Sequence, residues 1–237
     1  MGSRSSSFHD GALARVLLAP FKLGFALLFG IACVLLVAWT VDCVFVAHVW
    51  QGRLEGLRAL LGEELAAGTA MAALQGGSVG AVTMPANALY AVVFEATGLQ
   101  EMGQRFAQGS SLSIPDTVVR RTWIARHEVI EVAMLGTQLL GLRAGILMRF
   151  LPLVALLYAV GSADGLSQRV IRRAQAARES ASLYHRAKFA QVVVLALGGL
   201  AVLVWPAPVA WGMCAGIAAV LVGVLAAVQW TFYKKHI

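Results

Sequence analysis

Two charges stand inside long apolar runs, Asp42 and Arg149, and they are the residues best placed to do chemistry. Asp42 lies five residues before the end of the run 23–47, and Arg149 five residues after the start of the run 144–163. At about 1.5 Å per helical residue, both fall roughly 7–8 Å below the same membrane face. A charge in hydrocarbon is costly, so such groups face the bundle interior and pair. An interhelical salt bridge between Asp42 and Arg149 is the plainer expectation, and an ion or proton path is the functional one. His127-Glu128-Val129-Ile130-Glu131 has the spacing of a zinc-binding helix motif, but its last residue is glutamate and the second histidine is missing. Gly76-Gly77-Ser78-Val79-Gly80 lacks the Gly-Lys-Ser/Thr of a phosphate loop. Cys33, Cys43 and Cys214 all fall in apolar stretches and match no zinc spacing. Without a nucleophile–base pair, metal set or phosphate loop, no enzyme, metal or cofactor is expected.

The elements that must position these charges follow from composition. Hydrophobic residues make up 59% of the chain and charged ones 13%, with a mean hydropathy of +0.76. Soluble domains run at about 45–50% apolar and about 25% charged. The fold class is therefore all-α, an integral membrane four-helix bundle with a small helical periplasmic region between spans 1 and 2. The spans read as 23–47, 144–163, 189–205 and 209–229, each near the length of about 20 residues that crosses the hydrocarbon layer. The first reads as an uncleaved signal anchor. Span 3 meets span 4 through a short turn, 206–208, and Pro152 is expected to kink span 2.

Orientation comes from the formal charge of +7 and where it sits. Basic residues cluster in the N-terminal segment 1–22, in the loop 164–188 and in the C-terminal segment 230–237. The loop carries Arg169, Arg172, Arg173, Arg178, Arg186 and Lys188, with Asp164 and Glu179 as its acids. Placing all three segments in the cytoplasm satisfies the positive-inside rule, so both termini are inside. The segment 48–143 then lies in the periplasm. Within it Leu54, Leu57, Leu61 and Leu65 keep a helical period, with Arg58, Glu63 and Glu64 between them. A second helix is expected from about Asn87 to Gln108, and a third from Asp116 to about Leu142 after the capping run that includes Ser113 and Pro115.

The basic loop should be helical and attract anionic lipid, or serve as a docking surface for a cytoplasmic partner. Direct contact with nucleic acid is not expected, because aromatic interleaving is limited to Tyr184. In span 4, Gly212 and Gly216, with Gly223 further along, have the spacing that lets helix backbones approach. Packing within the bundle is the simpler use of them, and a homo-oligomeric contact the other.

The loop pattern is Asp164-Gly165-Leu166, Arg169, Arg172-Arg173, Arg178-Glu179-Ser180 and Tyr184-His185-Arg186-Ala187-Lys188. It resembles the integrating conjugative element membrane protein family, four-span proteins encoded among conjugative-transfer genes. Val170 departs from the pattern, where an acid is expected. The resemblance implies a bacterial inner-membrane location, association with a type IV secretion or mating apparatus, and no enzymatic activity. The expected role is a structural or interaction component of that apparatus. The alternatives are a small channel or transporter using Asp42 and Arg149, and a membrane regulator that excludes redundant transfer through 51–143. Within the motif, Glu179 is expected to pair with Arg172 or Arg173, seating Tyr184 and His185 at the interface. Glu179→Ala should then lower the thermal midpoint of the detergent-extracted protein, and an unchanged midpoint would contradict that pairing.

Overall fold

The computed structural model describes residues 6–108, 121, 125–175 and 181–233, and every regular element among them is helical. Helix α1 (Ser6–Val44) runs into a π-helical turn at Phe45–Val49. Gln51 and Gly52, both at positive φ, then reverse the chain into α2 (Leu54–Leu74). A turn through Gly76, at φ 66°, leads to α3 (Gly80–Tyr90) and a second π-helical turn at Ala91–Glu95. Next come α4 (Leu99–Gln108), α5 (His127–Ala174), α6 (Ala181–Val204) and α7 (Trp211–Thr231). The single helix expected over Asn87–Gln108 is therefore broken. Gly98 adopts φ 73°, a left-handed conformation that glycine takes without steric cost. The expected cap at Ser113 and Pro115, and the start of a helix at Asp116, lie outside the described residues.

No break separates the expected span 2 from the residues on either side of it. Helix α5 has 48 residues, about 72 Å at 1.5 Å each, and passes through Pro152 as one element. Its first turns belong to what read as the periplasmic region, and its last carry Arg169, Arg172 and Arg173. Of the segment 164–188, residues 164–174 belong to α5 and 181–188 to α6, in keeping with the helical expectation for this stretch. Among the described residues, four stretches are long and apolar enough to cross a membrane: Gly24–Val49, His127–Ala174, Ser182–Val204 and Trp211–Thr231. Their outward faces expose Phe25, Leu36, Leu151, Leu156, Leu197 and Val224. Their inward faces are built instead on small residues such as Ala215, Ala219 and Ala226, as in helices that associate within lipid.

The long helix is the post against which the others are registered. α1 runs antiparallel to it: Leu35 and Ala38 cluster with Leu140, and the Trp39 indole donates to Thr137 Oγ1 at 3.1 Å. α2 runs parallel, with Leu57 and Leu60 against Val132 and Leu139, and Gly68 beside Ile146. α3 returns antiparallel, with Ala86 on Gly141 and the Val82 carbonyl on Gly145. α7 is parallel to α5, with Gly223 on Gly161 and Ala227 on Gly165. Two Gly-x-x-x-Gly pairs on α5 thus admit two different neighbours at backbone distance.

Of the glycines expected to pack span 4, only Gly223 does so, 3.0 Å from the Leu157 carbonyl oxygen to the position of an added Cβ. Gly212 and Gly216 face open space, because the face of α7 that meets α5 is the one carrying Ala219, Gly223 and Ala227. Replacing Gly161 by leucine should therefore cost about 1–3 kcal/mol by overpacking. The same change at Gly212 should stay within about 0.5 kcal/mol. Thermal unfolding in detergent reads both, and equal losses would contradict this packing.

Candidate functional site

A deeply enclosed ion pair joins Glu64 on α2 with Arg143 on α5. Each side chain is 1% exposed, and Arg143 Nη2 donates to Glu64 Oε1 at 2.8 Å. Glu64 lies in the buried stripe Leu57, Leu60, Glu64, Gly68 and Ala72, so the helical period aims it inward. Arg143 lies in the same way between Leu139 and Ile146. The pair then takes in the connection between α6 and α7. Arg143 donates to the carbonyls of Val202 at 3.3 Å, Leu203 at 3.4 Å and Ala207 at 2.9 Å, and to that of Trp205. Glu64 Oε1 accepts the Val209 backbone N–H at 3.2 Å, and Oε2 accepts the Trp211 indole N–H at 2.5 Å.

The arrangement matches the charges of helix ends. The last carbonyls of a helix lack intrahelical donors and carry partial negative charge, whereas the first N–H groups of the next carry partial positive charge. Arg143 meets the end of α6, and Glu64 sits by the start of α7, bonded to the Val209 N–H just before its cap and to the side chain of its first residue, so each ion lies near the terminus that suits it. Burying two charges is costly, and only excellent geometry with further hydrogen bonds offsets that cost. Here the further bonds engage both carboxylate oxygens and both terminal guanidinium nitrogens, leaving Arg143 Nε without an acceptor among the described residues.

Asp42 and Arg149 are not brought together. Asp42 is buried against Gly136 on α5, and Arg149 donates to the Ser78 carbonyl at 3.1 Å with its guanidinium packed on Gly77. Gly136 and Arg149 are thirteen residues apart on α5, about 20 Å along the axis, so no side chain closes the gap. In the His127–Glu131 segment, His127 Nδ1 lies 3.7 Å from Glu131 Oε2, and Glu131 also pairs with Arg58 of α2.

At the opposite end of the bundle, residues of the 164–188 motif meet the end of α7. The Arg169 guanidinium lies 5.1 Å from the Tyr233 ring centroid and that of Arg172 4.3 Å from Phe232, both within cation–π range. Tyr233 also contacts Tyr184 and Trp230, each at 5.5 Å between centroids, and Tyr184 contacts His185 at 5.2 Å. Arg169 Nε and Trp230 Nε1 find no acceptor among the described residues. Asp164 is exposed and accepts from Gln168 Nε2 at 3.2 Å, while Arg173 and Lys188 are exposed on the same helices. Arg178 and Glu179 lie outside the described residues, and with them the pairing expected of Glu179. The aromatic partners Trp230, Phe232 and Tyr233 are not among the residues that the sequence analysis singles out. Their signal was position, directly after an apolar span and level with the arginines.

Glu64 and Arg143 escaped the sequence reading because one appeared among solvated helix residues and the other at a segment boundary. Removing one of them should leave the other buried and uncompensated. Arg143→Met is expected to cost about 3–5 kcal/mol. Trp211→Phe, which removes one donor to the carboxylate, should cost about 1–3 kcal/mol. Thermal midpoints of the detergent-solubilised proteins measure both, and an Arg143→Met protein as stable as the parent would refute the role given to the pair.

The family model described as IncC plasmid conjugative DNA transfer protein DtrJ-like matches residues 52–234. No curated protein and no solved structure matches the chain significantly. The match covers the Glu64–Arg143 pair, the basic motif and the aromatic end of α7, and it bears out the association with conjugative transfer expected from the motif. With that share of its length matched, the chain belongs to the DtrJ-like family of conjugative DNA transfer proteins.

Proposed function

We propose that this protein is a multi-pass component of the bacterial inner membrane, with both termini in the cytoplasm, that acts in a type IV secretion-like conjugative apparatus by holding partner proteins rather than by catalysis. The observation that carries this reading is the basic–aromatic end of the bundle. Residues of the 164–188 motif, on two helices, converge with the C-terminal end of a third, and Val170 and Ile171 stand exposed beside Arg169 and Arg172. Apolar side chains flanked by arginines suit an acidic, partly apolar protein surface. The same arginines favour anionic lipid by about 1 kcal/mol each near a membrane surface.

Asp42 and Arg149, the charges of the alternative channel reading, are held by different partners. The test uses the full-length protein in its native donor cell. Loss of the protein should abolish transfer. The double change Arg172→Ala and Arg173→Ala should leave it in the membrane fraction while lowering transfer and removing co-purifying apparatus proteins. Normal transfer with unchanged co-purification would overturn the reading.

A further inference from the structure

We infer that the α2–α3 hairpin is re-entrant, its tip immersed in the membrane leaflet on the side of the α6–α7 turn rather than standing in water. The inference rests on the four-span membrane reading above. Its first support is in the sequence. Between Glu64 and Glu95 no residue is charged, although this stretch lies in the segment that composition otherwise marks as the water-exposed one. Ten residues of α2 follow Glu64 before the turn, and α3 has 11 residues, so each arm covers about 15–17 Å. That is about half of a hydrocarbon layer of roughly 30 Å, enough to enter and return but not to cross.

The register supplies the second support. The hairpin descends parallel to α5 from Arg143, level with the α6–α7 turn, to Arg149, which donates to Ser78 at the tip. A crevice of about 570 Å³ under the tip is lined by Gln75, Ala81, Arg149, Pro152 and Leu153, so the tip lies well within the apolar length of α5. At that depth its outward side chains are Leu74, 89% exposed, Met84, 70% exposed, and Val79. These would be costly in water and are at home in lipid.

The third support is the backbone. Within hydrocarbon, non-helical backbone must have its polar groups satisfied or face a protein-lined cavity. At the tip Gln75 N–H donates to Met71, Gly76 N–H to Ala73 and Gly77 N–H to Ala72, whereas the N–H groups of Ser78 and Val79, just before α3, have no backbone acceptor among the described residues. The Ser78 carbonyl accepts from Ala81 and from Arg149. Thr69 and Thr83 turn their hydroxyls back onto carbonyls of their own helices, the habit of hydroxyl side chains in membrane helices. Arg149, which read as one half of a charge pair, instead closes the hairpin tip.

The test is site-directed fluorescence quenching on the full chain in vesicles of phosphatidylcholine and phosphatidylglycerol. Cys33, Cys43 and Cys214 are changed to alanine, and single cysteines are placed by Leu74→Cys, Met84→Cys, Leu197→Cys and Glu55→Cys and labelled with bimane. Leu74 and Met84 face outward, so their replacement removes no internal packing. Lipids carrying a nitroxide within the acyl chain should quench the probes at 74 and 84 strongly and the one at 55 weakly. A nitroxide deep in the acyl chain should quench the probe at 197. Probes at 74 and 84 that behave like the one at 55 while 197 is quenched would put the hairpin in water or against another protein and overturn the inference. No quenching at 197 would overturn the four-span reading itself, and the inference with it.

Discussion

A single guanidinium and a single carboxylate hold the ends of two helices at once, and the rest of the bundle depends on that shared contact. α6 and α7 meet through a connection too short to form a core of its own. Its exposed carbonyls and N–H groups are met by Arg143 from α5 and Glu64 from α2. Four helices are thereby fixed at one level by two side chains. Neither charge could be left in that environment alone, because each is almost wholly removed from solvent. Such a pair adds little net stability over a well-packed apolar substitute, and what it supplies is register.

Register matters because the other contacts in the bundle are weakly directional. Small residues on α5 and α7 allow close approach but do not by themselves fix how far one helix slides along the other. With Arg143 tied to the α6–α7 turn, Gly161 and Gly165 come opposite Gly223 and Ala227. At the far end the same alignment brings Arg169 and Arg172 level with Tyr233 and Phe232. The basic–aromatic surface proposed to hold partners is thus set from the opposite end of the molecule, through the length of α5.

The apolar runs were legible in the sequence, since nothing competes with a long uncharged stretch as a signal for a helix of that length. The runs 189–205 and 209–229 correspond to α6 and α7, and 23–47 to the apolar part of α1. The continuity of α5 was less visible, because charges at either end of its apolar centre looked like boundaries although they sit on the same helix. The partners of the buried charges were not legible, since a hydropathy pattern says which residues are inside but not what they face. Asp42 and Arg149 looked paired by depth, yet Gly136 receives one and the hairpin tip the other. Glu64 did carry a signal, as an acid at the centre of the stripe Leu57, Leu60, Gly68 and Ala72. The Gly-x-x-x-Gly pairs 141–145 and 161–165 were equally readable, whereas attention to span 4 alone picked out two glycines that face open space.

The central claim is that Glu64 and Arg143 act as one unit. The most direct measurement is a double-mutant cycle of Glu64→Gln and Arg143→Met, read as unfolding free energy of the detergent-solubilised protein. Each single change should be strongly destabilising, and the double should lose clearly less than their sum, because the second change removes the charge that the first left stranded. Additive losses would mean that the two residues are stabilised independently, and the account of the bundle's register would fall with that result.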